Sequence, residues 1–246
     1  MRLLVFDLDG TLFDTRQDIA DAVNHVRRTF HLAELSVARV TTMVGHGIAV
    51  LAQKAFHDSD VDTDVARDLM MDYYASHPTE KAKLYTGVRE TIPILRAVRS
   101  VVSNKPKVLV DALLEKHGMM KYFEFVAGGD TFEEKKPDPA AIHFLLARYQ
   151  VQPADVLVVG DHSPDITMAK RAGVRSVFCS YGFFGKDEIG ADYQIDAFPE
   201  LVTVLQRIKE ADRKPGRHMR DIKRHFDTSF TFHILTRRRT ICADQT

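Results

Sequence analysis

Short, almost wholly apolar runs alternate with amphipathic segments along this chain, and that alternation constrains its fold more than any other feature. The runs lie at residues 2–6, 98–102, 123–127, 156–159 and 176–179. They are typical of strands that are buried on both faces of a sheet. The segments between them have helical periodicity and lie at residues 88–97, 107–116, 139–149 and 165–172. Together they predict an α/β fold with a doubly wound parallel sheet and helices on both faces.

Residues 15–82 interrupt this alternation. They contain no strand-like run, and their apolar residues recur near helical spacing, as at Ile19, Val23 and Val26. We therefore predict a helical cap domain, inserted after the first strand and lying over the carboxyl ends of the core strands. The expected domains are a Rossmann-like core (1–14 and 83–206), the cap (15–82) and a basic tail (207–246).

Charge and composition narrow the class of protein. Lys and Arg total 34, as do Asp and Glu, but residues 207–246 hold 11 basic and 5 acidic residues, so the rest of the chain is mildly acidic. That balance argues against nucleic acid as a partner. No apolar run approaches the roughly 20 residues of a membrane-spanning helix. With only two cysteines we expect a soluble protein of the reducing cytoplasm, without a disulfide scaffold.

The tail has a pattern of its own. Phe226, Phe230 and Phe232 recur at even spacing, as in a half-buried strand, and three arginines follow. The segment just before them is dense in charge, which is typical of a poorly ordered appendage. Both interpretations stay open, and the tail or the cap is also a candidate surface for a homo-oligomer.

Pairs of carboxylates follow two of the predicted strands. Asp7 and Asp9 come after the first run, before a glycine, and Asp161 and Asp165 come after the run at 156–159. Acids held so close together cost free energy unless a cation or a proton relieves them. Hard oxygen ligands of this kind suit Mg²⁺. The sequence therefore predicts a magnesium site at one edge of the sheet.

Three further residues extend this predicted site. Ser103 and Asn104 follow the second core strand, and Lys136 lies in a loop bounded by prolines. They offer hydrogen-bond donors and a fixed positive charge beside the metal. A metal, a cation and donors together are what a phosphoryl group in transfer requires.

These motifs, in this order, resemble those of the haloacid dehalogenase superfamily, close to its phosphoglycolate phosphatases. The likeness covers about residues 2–200 and includes four motifs: Asp7 to Thr11, Ser103 with Asn104, Lys136, and Asp161 to Asp165. Four motifs in order on the expected elements are far more specific than any one alone. The resemblance implies a Mg²⁺-dependent phosphatase that acts on a small phosphorylated metabolite.

The resemblance also implies residue roles. Asp7 would be the nucleophile that forms an aspartyl-phosphate, and Asp9 the acid/base. Mg²⁺ would bind the Asp7 carboxylate, the Asp9 backbone carbonyl and Asp161, supported by Asp165. The substrate's phosphoryl group would be held by Ser103, Asn104, Lys136 and Thr11. The loop at residues 42–48 resembles the substrate-facing cap loop, which makes Gly45 and His46 candidates for substrate contact.

Other functions remain open at this point. A sugar phosphomutase would keep the aspartyl-phosphate but exclude water from it, whereas a dehalogenase would need neither Asp9 nor the metal. A phosphonate hydrolase would want a cap lysine, and residues 45–52 contain none. The helical segment at 88–97 runs into the next strand with almost no turn, so either the helix ends early or the strand is truncated. A truncated strand would favour a protein that binds phosphorylated ligands without catalysis.

Overall fold

The computed structural model describes residues 1–77, 79–187 and 189–213 of the chain. The strands are β1 (Leu3–Phe6), β2 (Phe13–Asp14), β3 (Lys83–Leu84), β4 (Val98–Val102), β5 (Phe125–Ala127), β6 (Val156–Gly160), β7 (Arg175–Cys179) and β8 (Tyr193–Ile195). The helices are α1 (Arg16–Thr29), α2 (Val37–Thr41), α3 (Ile48–Ala55), α4 (Thr63–Ser76), α5 (Val88–Thr91), α6 (Lys107–Lys116), α7 (Ala140–Tyr149), α8 (Ser163–Arg171) and α9 (Leu201–Arg213). Residues 1–209 form one compact unit. None of these helices is long and apolar enough to cross a membrane.

Six strands form one parallel sheet in the order β5-β4-β1-β6-β7-β8. β1 lies in the middle, with Leu3 paired to Val98 of β4 on one side and to Val156 of β6 on the other. After β1 the chain builds β4 and β5 on one side of it, and later builds β6, β7 and β8 on the other side. Such a switch point opens a crevice beyond the carboxyl ends of the strands, where open α/β sheets bind their ligands. The predicted doubly wound parallel sheet is confirmed.

The sheet is buried on both faces, as its apolar strands require. In β1, Leu4 and Phe6 point into one hydrophobic cluster, while Leu3 and Val5 point into the other. This alternation is the two-residue period of a strand. With both faces covered by helices, β1 has no exposed side, which explains why it is apolar throughout.

Helices α1 to α4 occupy the segment that was predicted to be a helical insert. They have a hydrophobic cluster of their own, in which Val23, Leu51 and Met70 are fully or almost fully buried. The chain enters and leaves this segment through a two-stranded antiparallel ribbon, where Phe13 of β2 pairs with Leu84 of β3. The ribbon lies immediately outside the predicted boundaries at residues 15 and 82.

The helix predicted at 88–97 begins at the expected residue but ends early. α5 ends at Thr91 and a 3-10 turn follows over Ile92–Ile94, because Pro93 lacks the backbone N–H that would continue an α-helix. The early end leaves room for β4, which has all five residues of the predicted run. The short connection thus shortens the helix and leaves the strand intact.

Two strand predictions also need correction. The run at 123–127 is a strand only over Phe125–Ala127, because Phe123 closes the preceding 3-10 turn. The edge strand β8 was not predicted at all. Its three residues are too few to show a period, and Gln194 at its centre is exposed.

Candidate active site

The loop after β1 brings two carboxylates to the central crevice of the sheet. Its sharp turn depends on Gly10, which has a φ of +89°, and a Cβ there would lie 2.2 Å from Oδ2 of Asp161. Only glycine allows this approach. The hydroxyl of Thr11 donates to Oδ1 of Asp161 at 3.1 Å. Thr11 therefore supports a carboxylate and is not among the described residues that line the pocket; its phosphate-binding role stays a prediction.

Three carboxylates from two strand ends form a buried cluster. Asp7, Asp161 and Asp165 each place an oxygen within 4.8 Å of the others. The ammonium of Lys136 donates to Oδ1 of Asp7 at 2.6 Å and to Oδ1 of Asp165 at 2.7 Å. All four side chains are at most about a tenth exposed. The structure thus brings four of the predicted site residues together.

The electrostatics of this cluster follow from burial. Burial raises the pKa of Asp161 well above its usual range, and the charges of Asp7 and Asp165 raise it further. Burial also raises the pKa of Asp7, against the lowering effect of Lys136. For Lys136 burial acts in the opposite sense, but the two carboxylates more than offset it and raise the pKa of the ammonium. Lys136 alone therefore does not offset the cost of ionising the buried carboxyl groups.

The donor set fits a divalent cation. When all three carboxyl groups are ionised, the one ammonium of the cluster leaves two negative charges unbalanced in a buried place. Phe183 donates its backbone N–H to Oδ2 of Asp161 at 2.7 Å, which fixes that carboxylate. Carboxylate oxygens of this kind are ligands for a hard cation. The Asp9 carboxylate lies outside the cluster, so its predicted metal contact would have to come from its backbone carbonyl.

Asn104 fastens three loops together. Its amide nitrogen donates to the carbonyls of Gly45 and Lys136, both at 2.9 Å, and its carbonyl accepts the N–H of Lys136 at 3.0 Å. Both amide N–H groups are therefore engaged with the backbone. This positions Lys136, whereas a direct bond from the Asn104 side chain to phosphate stays a prediction. Ser103 lines the pocket, and its hydroxyl accepts the N–H of Lys105 at 3.2 Å.

A pocket opens between this cluster and the inserted helices. Its polar floor comes from the core: Asp7, Asp9, Ser103, Asn104, Lys105 and Lys136. Its apolar wall comes from the inserted segment and two nearby loops: Ile19, Val44, Ile48, Leu51, Tyr74, Phe183 and Phe184. An apolar wall over a charged floor excludes water from the floor and strengthens every charge interaction there.

The predicted substrate loop contributes Gly45 to this pocket but not His46. Gly45 has a φ of +113°, and a Cβ there would lie 2.2 Å from Nδ1 of His162. The His46 ring instead contacts that of His162 edge to face, with centroids 5.5 Å apart. His162 stacks on Phe184 at 3.6 Å, and burial lowers the pKa of His162 to about 3. It is therefore uncharged at neutral pH.

Sequence reasoning missed Lys105 and Tyr74. The ammonium of Lys105 lies 3.3 Å from both carboxylate oxygens of Asp9 and 5.3 Å from the centre of the Tyr74 ring. Lys105 could have been found, because it follows Ser103 and Asn104 directly. Tyr74 had no such signal, since it lies on α4 among other apolar residues. Asp130, which also follows a strand, accepts the N–H of Lys107 at the start of α6 and is not among the described pocket residues.

Comparison with known proteins agrees with this geometry. The family model described as haloacid dehalogenase-like hydrolase matches residues 4–179. A phosphoglycolate phosphatase of Vibrio parahaemolyticus is 36% identical over 219 residues, which are 83% of this chain and 96% of that protein. One of Pseudomonas putida is 38% identical over 244 residues, 95% of this chain and 88% of that protein. A crystal structure of a predicted phosphoglycolate phosphatase from Haemophilus somnus has a TM-score of 0.80 at 29% identity, covering 84% of this chain and 98% of that one.

The chain therefore belongs to the haloacid dehalogenase-like hydrolases. Its sheet, its buried acidic cluster and its relatives make it an enzyme of the phosphoric monoester hydrolase class.

Proposed function

We propose that this enzyme hydrolyses a small phosphomonoester, 2-phosphoglycolate, with Mg²⁺ and through an aspartyl-phosphate on Asp7. The observation that carries the proposal is that Asp7 and Asp9 lie in different surroundings. Asp7 faces the buried cluster with Lys136, while Asp9 is held apart by the hydroxyl of Thr15, which donates to its Oδ1 at 2.7 Å. Two acids in different surroundings are suited to different roles.

Asp7 would attack phosphorus, and the alcohol would leave with a proton from Asp9. A carboxylate is a weak nucleophile, and it approaches a phosphate that is itself negative, so positive charge must surround both. Lys136 supplies one such charge, 2.6 Å from Asp7. Mg²⁺, held by Asp7, Asp161, Asp165 and the Asp9 carbonyl, would supply the remainder and balance the phosphoryl oxygens. Water would then hydrolyse the aspartyl-phosphate, with Asp9 as the base.

The inserted helices would act as the cap that encloses the substrate. Their side chains form the apolar wall of the pocket, and Gly45 is tied to the core by the amide of Asn104. Enclosure would exclude bulk water from the charged floor while Asp7 attacks, which strengthens the interaction of Lys136 with the phosphoryl group.

The non-catalytic alternative depended on a truncated second strand. β4 is complete, and Ser103 at its end lines the pocket. No observation favours the phosphomutase alternative, which predicts transfer of the phosphoryl group to a second sugar. The cytoplasmic location and a homo-oligomer formed through the cap or tail remain predictions.

A phosphatase screen tests the proposal. We expect the purified chain to release phosphate from 2-phosphoglycolate faster than from other small phosphomonoesters, only with Mg²⁺ present. Chelation should stop the release and Mg²⁺ should restore it. Ca²⁺ should not replace Mg²⁺, because the larger ion accepts more oxygens and can bind both oxygens of the Asp7 carboxylate. Full activity after chelation, or no phosphate release from any ester, would overturn the proposal.

A further inference from the structure

Lys105 places an ammonium group at the floor of the pocket. This ammonium makes longer contacts with carboxylates than the ammonium of Lys136 does. Among the described residues that line the pocket, Lys105 and Lys136 carry the ammonium groups. Lys136 donates to two buried carboxylates at 2.6 and 2.7 Å. Lys105 lies 3.3 Å from both oxygens of Asp9, which is long for a charge-assisted hydrogen bond. Because an ammonium has three N–H groups, Lys105 can accept a further anionic partner.

The surroundings of Lys105 favour such a partner. Its side chain is only 8% exposed, and its ammonium lies over the ring of Tyr74. A ring face attracts a cation but does not neutralise it. Leu109 and Ile19 also line this pocket, so an anion that enters meets little competing water.

Lys105 lies beside two residues that would contact the reacting phosphoryl group and its leaving alcohol. Its backbone N–H donates to the hydroxyl of Ser103, a candidate phosphate ligand, and its ammonium contacts Asp9, the candidate acid for the leaving alcohol. A group attached to the leaving alcohol would therefore lie near this ammonium. In 2-phosphoglycolate that group is a carboxylate, one carbon from the ester oxygen.

We propose that Lys105, positioned by Tyr74, binds the carboxylate of the substrate. It would thereby select phosphomonoesters of short hydroxy acids over phosphomonoesters of uncharged alcohols. This inference rests on the proposed function, since it concerns the leaving part of the same substrate. Binding would draw the ammonium from Asp9 toward the substrate, while Thr15 continues to donate to Asp9.

The test compares two esters that differ in one charge, 2-phosphoglycolate and its carboxamide analogue. We expect wild-type enzyme to prefer the carboxylate, and Lys105→Met to reduce that preference about 10- to 100-fold, which is the worth of one hydrogen bond to a charged group. The loss that reports on the substrate carboxylate should fall on the KM of the carboxylate ester, whereas any effect of the substitution through Asp9 should be the same for both esters and cancel in their ratio. Lys105→Arg, which keeps the charge, should restore part of the preference. Lys121→Met is the matched control, because Lys121 is an exposed lysine outside the pocket lining.

Two results would overturn the inference. An unchanged preference in Lys105→Met would show that another group reads the carboxylate. An unchanged preference accompanied by equal losses of kcat on both esters would show that Lys105 acts only on Asp9 or on the loop.

Calorimetric titration of the Asp7→Asn variant with the same two esters separates this inference from the proposed function. Selective binding of the carboxylate that disappears in Asp7→Asn/Lys105→Met supports the inference even if the wild type releases no phosphate. Phosphate release without any selectivity leaves the proposed function standing and rejects the role of Lys105. Absence of both binding and turnover rejects both.

Discussion

The ammonium of Lys136 lies 2.6 Å from Oδ1 of Asp7, although the two residues are 129 positions apart in the chain and both side chains are buried. The contact exists because β1 and the loop after β5 reach the same edge of the sheet. It places an ammonium group in direct contact with the carboxylate of the candidate nucleophile.

Replacing Lys136 with methionine should lower both activity and stability. We expect kcat to fall about 10²- to 10³-fold, as when a preorganised group that stabilises charge is removed. Without the ammonium, three buried carboxylates face each other, and we expect the free energy of unfolding to fall by about 3 kcal/mol in metal-free buffer. Mg²⁺ should restore more stability to the variant than it adds to the wild type. Chemical denaturation with and without Mg²⁺ measures this, with Lys121→Met as the control. Wild-type kcat in Lys136→Met would contradict the assignment.

Replacing Asp9 with asparagine should affect esters according to their leaving group. An alkyl alcohol needs a proton to leave, so alkyl phosphates should lose about 10²- to 10⁴-fold in kcat/KM, which reports the transfer to Asp7 and not the later hydrolysis by water. Nitrophenolate leaves without a proton, so the loss of activity on nitrophenyl phosphate should be far smaller. The asparagine can still accept the hydrogen bond from Thr15, so its circular dichroism should match the wild type. Equal losses of kcat/KM on the two esters would count against Asp9 as the acid that protonates the leaving alcohol.

Replacing Gly45 with valine should impair substrate binding more than chemistry. Its Cβ would meet the His162 ring, and its φ of +113° is unfavourable for a β-branched residue. The ring would have to shift against Phe184, which lies in the pocket wall. We expect a higher KM, or a changed order of preferred esters, with a smaller change in kcat. Lost stability with unchanged kinetics would instead show that the loop is only structural.

Shortening the chain to residues 1–213 should leave metal-dependent phosphatase activity unchanged. No candidate catalytic residue lies beyond α9, and the tail predictions fall outside the described residues. Shortening to residues 1–200 is the contrasting control, because it removes Leu201, Val204 and Ile208, which are buried in the core. That chain should lose stability. If the 1–213 chain folds but neither binds nor hydrolyses phosphate esters, the tail belongs to the active site.

The sheet and the acidic cluster could be predicted because short-range patterns determine them. Apolar runs that end in acids mark parallel strands, and parallel strands bring their carboxyl ends to one edge, so Asp7 and Asp161 had to meet. The predicted bounds of α6 match the structure at both ends, because the helical pattern of residues 107–116 is also local. The predicted end of α5 does not match, because one proline outweighed a helical pattern that otherwise continues to residue 97.

The remainder of the site depends on contacts that no local pattern encodes. Tyr74 reaches Lys105 only because α4 packs over the core, and Phe184 reaches His162 from the loop after β7. Asn104 was read as a phosphate donor from its motif, whereas its amide is engaged with Gly45 and Lys136. A motif states which residues are present but not which hydrogen bonds they make in the fold.

The covalent step on Asp7 is the central claim, and trapping it is the most direct test. The enzyme would be mixed with 2-phosphoglycolate and Mg²⁺, quenched in acid during turnover and reduced with borohydride, which converts an aspartyl-phosphate to homoserine. Mass spectrometry of the peptide that spans β1 should find homoserine at position 7 in the wild type, and unmodified asparagine there in Asp7→Asn, which should release no phosphate. Steady turnover with an unmodified Asp7, or with the label on another residue, would contradict the account.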